Sequence, residues 1–176
     1  FGPTHHMFEL SEHPDLYQRW IDLAHGAPPD WDSLFEGYSS CVDWPSAYYW
    51  RELIELYPDA HVLLTWRSAE SWWKSFEGTI LQIMKRPKEA NPLTHFLALN
   101  VFDGKPDDRD YAIDVYNRHV DDVMATVPPD RLLVHSLGDG WEPLCTFLNV
   151  AVPEIDYPSR NTTAEIQAKK SISPDD

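Results

Sequence analysis

The stretch His61-Val62-Leu63-Leu64-Thr65-Trp66-Arg67-Ser68-Ala69-Glu70-Ser71-Trp72 changes character at its midpoint. Its first half is apolar and β-branched with little alternation, as in a strand covered on both faces by helices. At Arg67 the run ends, and Ser68 is placed to cap a helix running towards Arg86. Two further short β-rich runs, Ser40 to Trp44 and Arg131 to Ser136, end the same way, where polar residues begin. Helical patterns separate them. Pro14 to His25 carries Leu16, Trp20, Leu23 and Ala24 on one face, and Ser46 to Tyr57 carries Ala47, Trp50, Leu53, Ile54 and Tyr57 before Pro58 stops it. Asp108 to Thr126 has Ile113, Tyr116, Val120, Val123 and Met124 at helical spacing. Strand and helix in alternation predict an α/β fold with a mostly parallel sheet.

A chain of 176 residues suits one domain with a real core. Pro87, Pro92, Gly104 and Pro106 interrupt the pattern around one apolar stretch, Leu93 to Phe102, so residues 87–110 read as a helical insert or lid. The tail from 151 to 176 contains a short helical pattern near Thr163 to Lys170. With 43% hydrophobic residues the whole is not intrinsically disordered. Fourteen Lys and Arg against 29 Asp and Glu leave a net charge of -15, which opposes general attraction to nucleic acid or anionic membrane. No apolar run is long enough for a membrane span, and Cys41 and Cys145 are too few for a disulfide framework, so a cytoplasmic protein is expected. They make no zinc motif either, and His5-His6 has no partner pair at ligand spacing, so no metal is expected.

The few cations are not dispersed. From Arg67 to Lys88, Arg67, Lys74, Lys85, Arg86 and Lys88 face only Glu70 and Glu77, a window of +3 in a chain whose remainder is -18. The window opens where a strand hands over to a helix, the place where an open parallel sheet presents helix N-termini to anions. An ordinary cationic last turn would account for Lys85, Arg86 and Lys88, but not for Arg67 at the strand end. Arg67 and Ser75, about two helical turns apart, can bring a forked cation and a hydroxyl to one phosphate.

Beyond these physical signals, Val42-Asp43-Trp44-Pro45, the stretch from His61 to Trp72, and Leu137-Gly138-Asp139-Gly140-Trp141-Glu142-Pro143-Leu144-Cys145-Thr146-Phe147-Leu148-Asn149 resemble motifs of the P-loop sulfotransferase superfamily. The similarity is to a bacterial and fungal branch reading V-D-W-P, L-T-x-R-x-x-x-x-W and G-W-E-P-L-C-x-F-L, and the opening Gly2 to Met7 fits it too. The resemblance implies a P-loop NTPase-like three-layer α/β/α fold. It also implies sulfuryl transfer from 3′-phosphoadenosine-5′-phosphosulfate to a hydroxyl or amine of a small acceptor. Arg67 and Ser75 match the family's pair for the donor 3′-phosphate, and Trp72 matches a position beside the donor loop. The family's Gly-x-x-x-Ser/Thr-Gly-Thr loop matches no string in these residues, so the first strand and donor loop are expected upstream of Phe1, and this chain alone is expected to be inactive. That loop supplies backbone donors and a cation to the transferring group.

A general base must take the acceptor proton. His6 matches the family's His in Pro-x-x-His-Met, and Asp43 ends a strand at the expected mouth of the sheet. A core histidine and a helix cap are the plain alternatives for these two residues. His95, His119 and His135 read as structural. Trp44, Trp66, Trp72 and Trp73 cluster near strand ends, where aromatic walls could receive adenine or an aromatic or apolar acceptor. Two other functions share the fold: a scaffold that lost the donor loop, and a P-loop kinase of small molecules, which would need a Mg²⁺-holding acid as well.

Overall fold

Val62 to Trp66 and Leu132 to Ser136 form β3 and β4, which pair in parallel over five residues, from Val62 opposite Leu132 to Trp66 opposite Ser136. Parallel neighbours need a crossover long enough to return the chain, and α5 (Ala69–Gly78), α6 (Ile80–Met84) and α8 (Arg109–Thr126) lie within it. The computed structural model describes residues 2–87, 89 and 91–158. Lys88 and the helical pattern near Thr163 to Lys170 lie outside them.

The chain divides into two units. The second, residues 59–85 and 105–176, contains β3, β4, α5, α6, α8 and α9 (Trp141–Phe147). Leu64, Trp73, Phe76, Leu81, Met84, Ala112, Val120, Val123 and Cys145 are its buried apolar residues on these elements. Ser68 caps α5 as expected, its hydroxyl accepting from the Ser71 N–H at 3.4 Å, and Asp108 caps α8 through the Tyr111 N–H at 3.1 Å. The helix read from Ser68 to Arg86 is interrupted at Thr79. There the Thr79 hydroxyl donates to the Ser75 carbonyl at 2.6 Å, a side-chain bond in competition with the helical ladder, and the backbone leaves helical angles. Strand coverage also departs from expectation: Leu63 is 45% and Trp66 40% exposed, so among the described residues β3 is not covered on both faces.

The first unit, residues 1–58 and 86–104, contains β1 (Thr4–His5) and β2 (Ser40–Cys41), paired in parallel with Thr4 opposite Ser40 and His5 opposite Cys41. Here the run expected as far as Trp44 keeps strand geometry only to Cys41, because Asp43 turns to φ 66°. Gly2 is required by close approach, since a Cβ there would stand 2.3 Å from the Ser39 hydroxyl oxygen. Around this pair lie α1 (Glu9–Glu12), α2 (Pro14–Ala24), α3 (Trp31–Leu34), a 3₁₀ turn over Ser46–Tyr49 that leads into α4 (Trp50–Leu56), and α7 (Pro92–Phe102).

Residues 87–110, expected as an insert or lid, provide α7, and its Leu93 and Leu97 join Leu10, Trp20, Ala24 and Leu34 in one buried cluster. The helix is apolar around its circumference, which is why no amphipathic period marked it. Leu97 is fully buried, so Leu97→Ala is predicted to cost about 2 to 5 kcal/mol in urea unfolding. A cost below about 0.5 kcal/mol, within the range of ordinary surface substitutions, would mean that α7 does not sit in this core.

Candidate active site

α5 organises one candidate site. Arg67 leaves the end of β3, and Ser71, Lys74, Ser75 and Gly78 follow at helical spacing along one face of α5, lining with Glu77 and, from α6, Gln82 an open depression of 660 Å³. The Arg67 backbone is fixed by Tyr116 on α8: the Tyr116 hydroxyl donates to the Arg67 carbonyl at 2.8 Å and lies 3.3 Å from the Arg67 N–H. Trp72 stacks on both Tyr116 and Phe76, at centroid distances of 4.7 and 4.8 Å, so its indole braces the tyrosine that holds Arg67. Trp73 is buried.

Electrostatics favours an anion here. Glu70 is taken by Arg109 in an ion pair, while neither Arg67 nor Lys74 has an ion-pair partner among the described residues. In a chain of net charge -15, two such cations and the hydroxyls of Ser71 and Ser75 share one helix face, with Glu77 the acid that lines the depression beside them, an arrangement able to receive an anionic group.

In the first unit the structure brings His6 to Asp43, with Nε2 3.8 Å from Oδ2. His6 Nδ1 accepts the Phe8 N–H at 3.1 Å, so the neutral ring carries its proton on Nε2, facing the carboxylate. Asp43 does not cap the following helix through its side chain. Its left-handed backbone folds Oδ1 onto the Trp44 N–H at 2.8 Å, while its carbonyl accepts from Ala47, and Oδ2 remains for the dyad. Left-handed backbone is uncommon for any residue with a side chain, although Asp tolerates it better than most. Phe8 stacks on His6 at 4.8 Å and is 67% exposed, an apolar surface beside the dyad.

A family model described as a sulfotransferase domain matches residues 1–166. The chain belongs to that family. Over 146 residues, 73% of this chain, the domain is 31% identical to Ava biosynthesis cluster protein M of Aspergillus versicolor. The matched region is 56% of that relative, so the chain spans little more than half of its length. As a sulfotransferase domain, its candidate residues fall into two groups: Arg67 with Ser75 in the second unit, and His6 with Asp43 in the first.

Sequence reasoning missed His5, which is fully buried in β1 against the rings of Trp20, Phe35 and Tyr38. Its Nε2 accepts the Trp20 indole N–H at 3.2 Å, which seats the neutral proton on Nδ1, buried without a hydrogen-bond partner among the described residues. Burial lowers its pKa below the usual 6.5, more strongly than nearby Glu9 raises it, and His6 lowers it further. The unfolded chain then binds a proton that the folded chain refuses. Stability should be full above about pH 6.5 and fall as pH drops below it towards the lowered folded value. We predict that the urea midpoint follows this profile, and that His5→Gln, which keeps an acceptor for Trp20, flattens it; an unchanged acid slope in the variant would assign the effect to another group.

Proposed function

We propose that the domain transfers a sulfuryl group from 3′-phosphoadenosine-5′-phosphosulfate to a hydroxyl or amine of a small acceptor. The face of α5 carries this reading: Arg67 and Lys74, without an ion-pair partner among the described residues, stand with Ser71 and Ser75 around one open depression. In this reading Arg67 and Ser75 hold the donor's 3′-phosphate, with Lys74 adding charge, and Trp72 acts through Tyr116 to hold Arg67 in place. The acceptor oxygen or nitrogen forms a bond to sulfur as the bond from sulfur to the donor's phosphate oxygen breaks. Catalysis of such an in-line transfer rests on positioning and charge stabilisation.

The acceptor proton goes to Asp43. His6 has its Nδ1 occupied by the Phe8 N–H and presents a protonated Nε2, so it donates towards the carboxylate and steadies its charge, whereas Asp43 Oδ2 is free to accept. Exposed Phe8 beside the dyad favours an aromatic or apolar acceptor. An upstream strand and Gly-rich loop complete the P-loop fold in this reading. Support comes from the two-stranded parallel sheets, whose outer edges have no strand partner among the described residues, and from the exposed Leu63 and Trp66 on β3. The family match takes in residues of both units, in keeping with a single domain, and two free cysteines suit the cytoplasm.

Two measurements on the complete protein test this. Arg67→Ala should weaken binding of adenosine 3′,5′-bisphosphate by about 1.5 to 3 kcal/mol in calorimetry, the range for a charge-assisted hydrogen bond, and equal affinity would remove Arg67 from the site. Asp43→Asn should lower kcat by about 100-fold or more with donor affinity unchanged, and His6→Gln, which retains an N–H donor, should cost less. The reverse order would make His6 the base.

A further inference from the structure

β4 carries His135, and although the imidazole is 6% exposed, its two nitrogens face functional groups rather than apolar side chains. Nε2 lies 3.1 Å from the hydroxyl of Tyr157, and Nδ1, buried with no hydrogen-bond partner among the described residues, lies 4.0 Å from Oδ2 of Asp139. The carboxylate is anchored by the turn between β4 and α9, where Oδ2 accepts the Ser136 N–H at 2.6 Å and Gly138 and Gly140 supply the positive φ angles of 103° and 73°.

This arrangement selects one tautomer. A bare Nδ1 would turn its lone pair towards the Asp139 carboxylate, whereas a protonated Nδ1 turns a partial positive charge towards it. Nε2 is therefore the acceptor, and the Tyr157 O–H donates to it. Carboxylate, imidazole and hydroxyl thus stand in the order that activates a nucleophile, with the base oriented by a third group. Tyr157 is held from the other side by Trp141, whose ring meets it edge to face at 4.8 Å and whose indole N–H donates to the Ile155 carbonyl at 2.9 Å. The ring is nonetheless 41% exposed, so an electrophile can reach it.

The geometry points to Tyr157 as a built-in sulfuryl acceptor, with His135 as its base and Asp139 as the residue that positions the base. This rests on the sulfuryl-transfer reading above. In the step, Tyr157 Oη forms a bond to the sulfur of a donor, the bond from sulfur to the donor's phosphate oxygen breaks, adenosine 3′,5′-bisphosphate leaves, and the phenolic proton passes to His135 Nε2. The product is tyrosine O-sulfate on this chain. The chemistry at Tyr157 is the same whether the donor is bound to this copy or to another.

The test incubates the complete protein with sulfur-labelled phosphosulfate donor and no acceptor, and maps the label by peptide mass spectrometry, with turnover of a free phenol followed in parallel. Sulfate should appear on Tyr157, vanish in Tyr157→Phe, and fall about 100-fold in rate in His135→Gln, the usual contribution of a general base. Asp139 is exposed, so Asp139→Asn should fold; it keeps the acceptor for Ser136 but loses the charge, and should slow labelling, with Asp139→Glu recovering part of the loss. An arylsulfonyl fluoride gives a donor-independent reading of the same relay, because the phenol displaces fluoride from sulfur and the same nitrogen takes the proton. Phenol turnover with Tyr157 unmodified would overturn this proposal and leave the proposed function standing. Absence of both would overturn the sulfuryl-transfer reading and this one with it, and sulfonylation equal in wild type, His135→Gln and Asp139→Asn would overturn the relay.

Discussion

The parallel register of Val62–Trp66 on Leu132–Ser136 is the constraint on which the second unit depends. It brings the C-terminal ends of both strands to one edge, where the Leu137 N–H still reaches the Trp66 carbonyl at 3.1 Å. Beyond that edge one strand delivers Arg67 to the start of α5 and the other delivers the Gly138-Asp139-Gly140 turn to the start of α9. The crossover required by parallel pairing supplies α8, and α8 supplies Tyr116, whose hydroxyl holds both backbone groups of Arg67. The gathering of these residues at one edge is therefore a consequence of sheet geometry, at the edge where open α/β sheets receive ligands.

The first unit solves a different problem. Its strands are two residues each, too short to fix a carboxylate by pairing alone, and the fixing is done by aromatic packing beneath them. His5, buried among Trp20, Phe35 and Tyr38, anchors β1, so that the next residue, His6, emerges beside Asp43. The two adjacent histidines have opposite tautomers, set by the Trp20 indole at one and the Phe8 amide at the other. One histidine serves the core and the other the dyad.

Local signals were the legible ones. The strand-to-helix change at Arg67, the Ser68 cap and the spacing of Arg67 and Ser75 all lie within one short segment, and the charge window opens at Arg67; Ser71 joins them only in the folded helix. Long-range placement was not legible. Nothing in Leu93 to Phe102 states that it packs with Trp20, because an evenly apolar helix has no direction to its burial. The break at Thr79 depends on one hydroxyl bond to Ser75, and the role of Trp72 depends on Tyr116, a residue far along the chain on another helix. His135 looked structural because it lies inside a strand; Asp139 and Tyr157 become its neighbours only once the turn and the tail fold back.

The face of α5 is proposed here as the donor's phosphate site. A crystal structure of the complete protein with adenosine 3′,5′-bisphosphate tests it most directly. The 3′-phosphate is expected within hydrogen-bond distance of the Arg67 guanidinium and the Ser75 hydroxyl. A nucleotide bound with both its phosphates away from α5, and Arg67 paired instead with an acidic side chain, would contradict it.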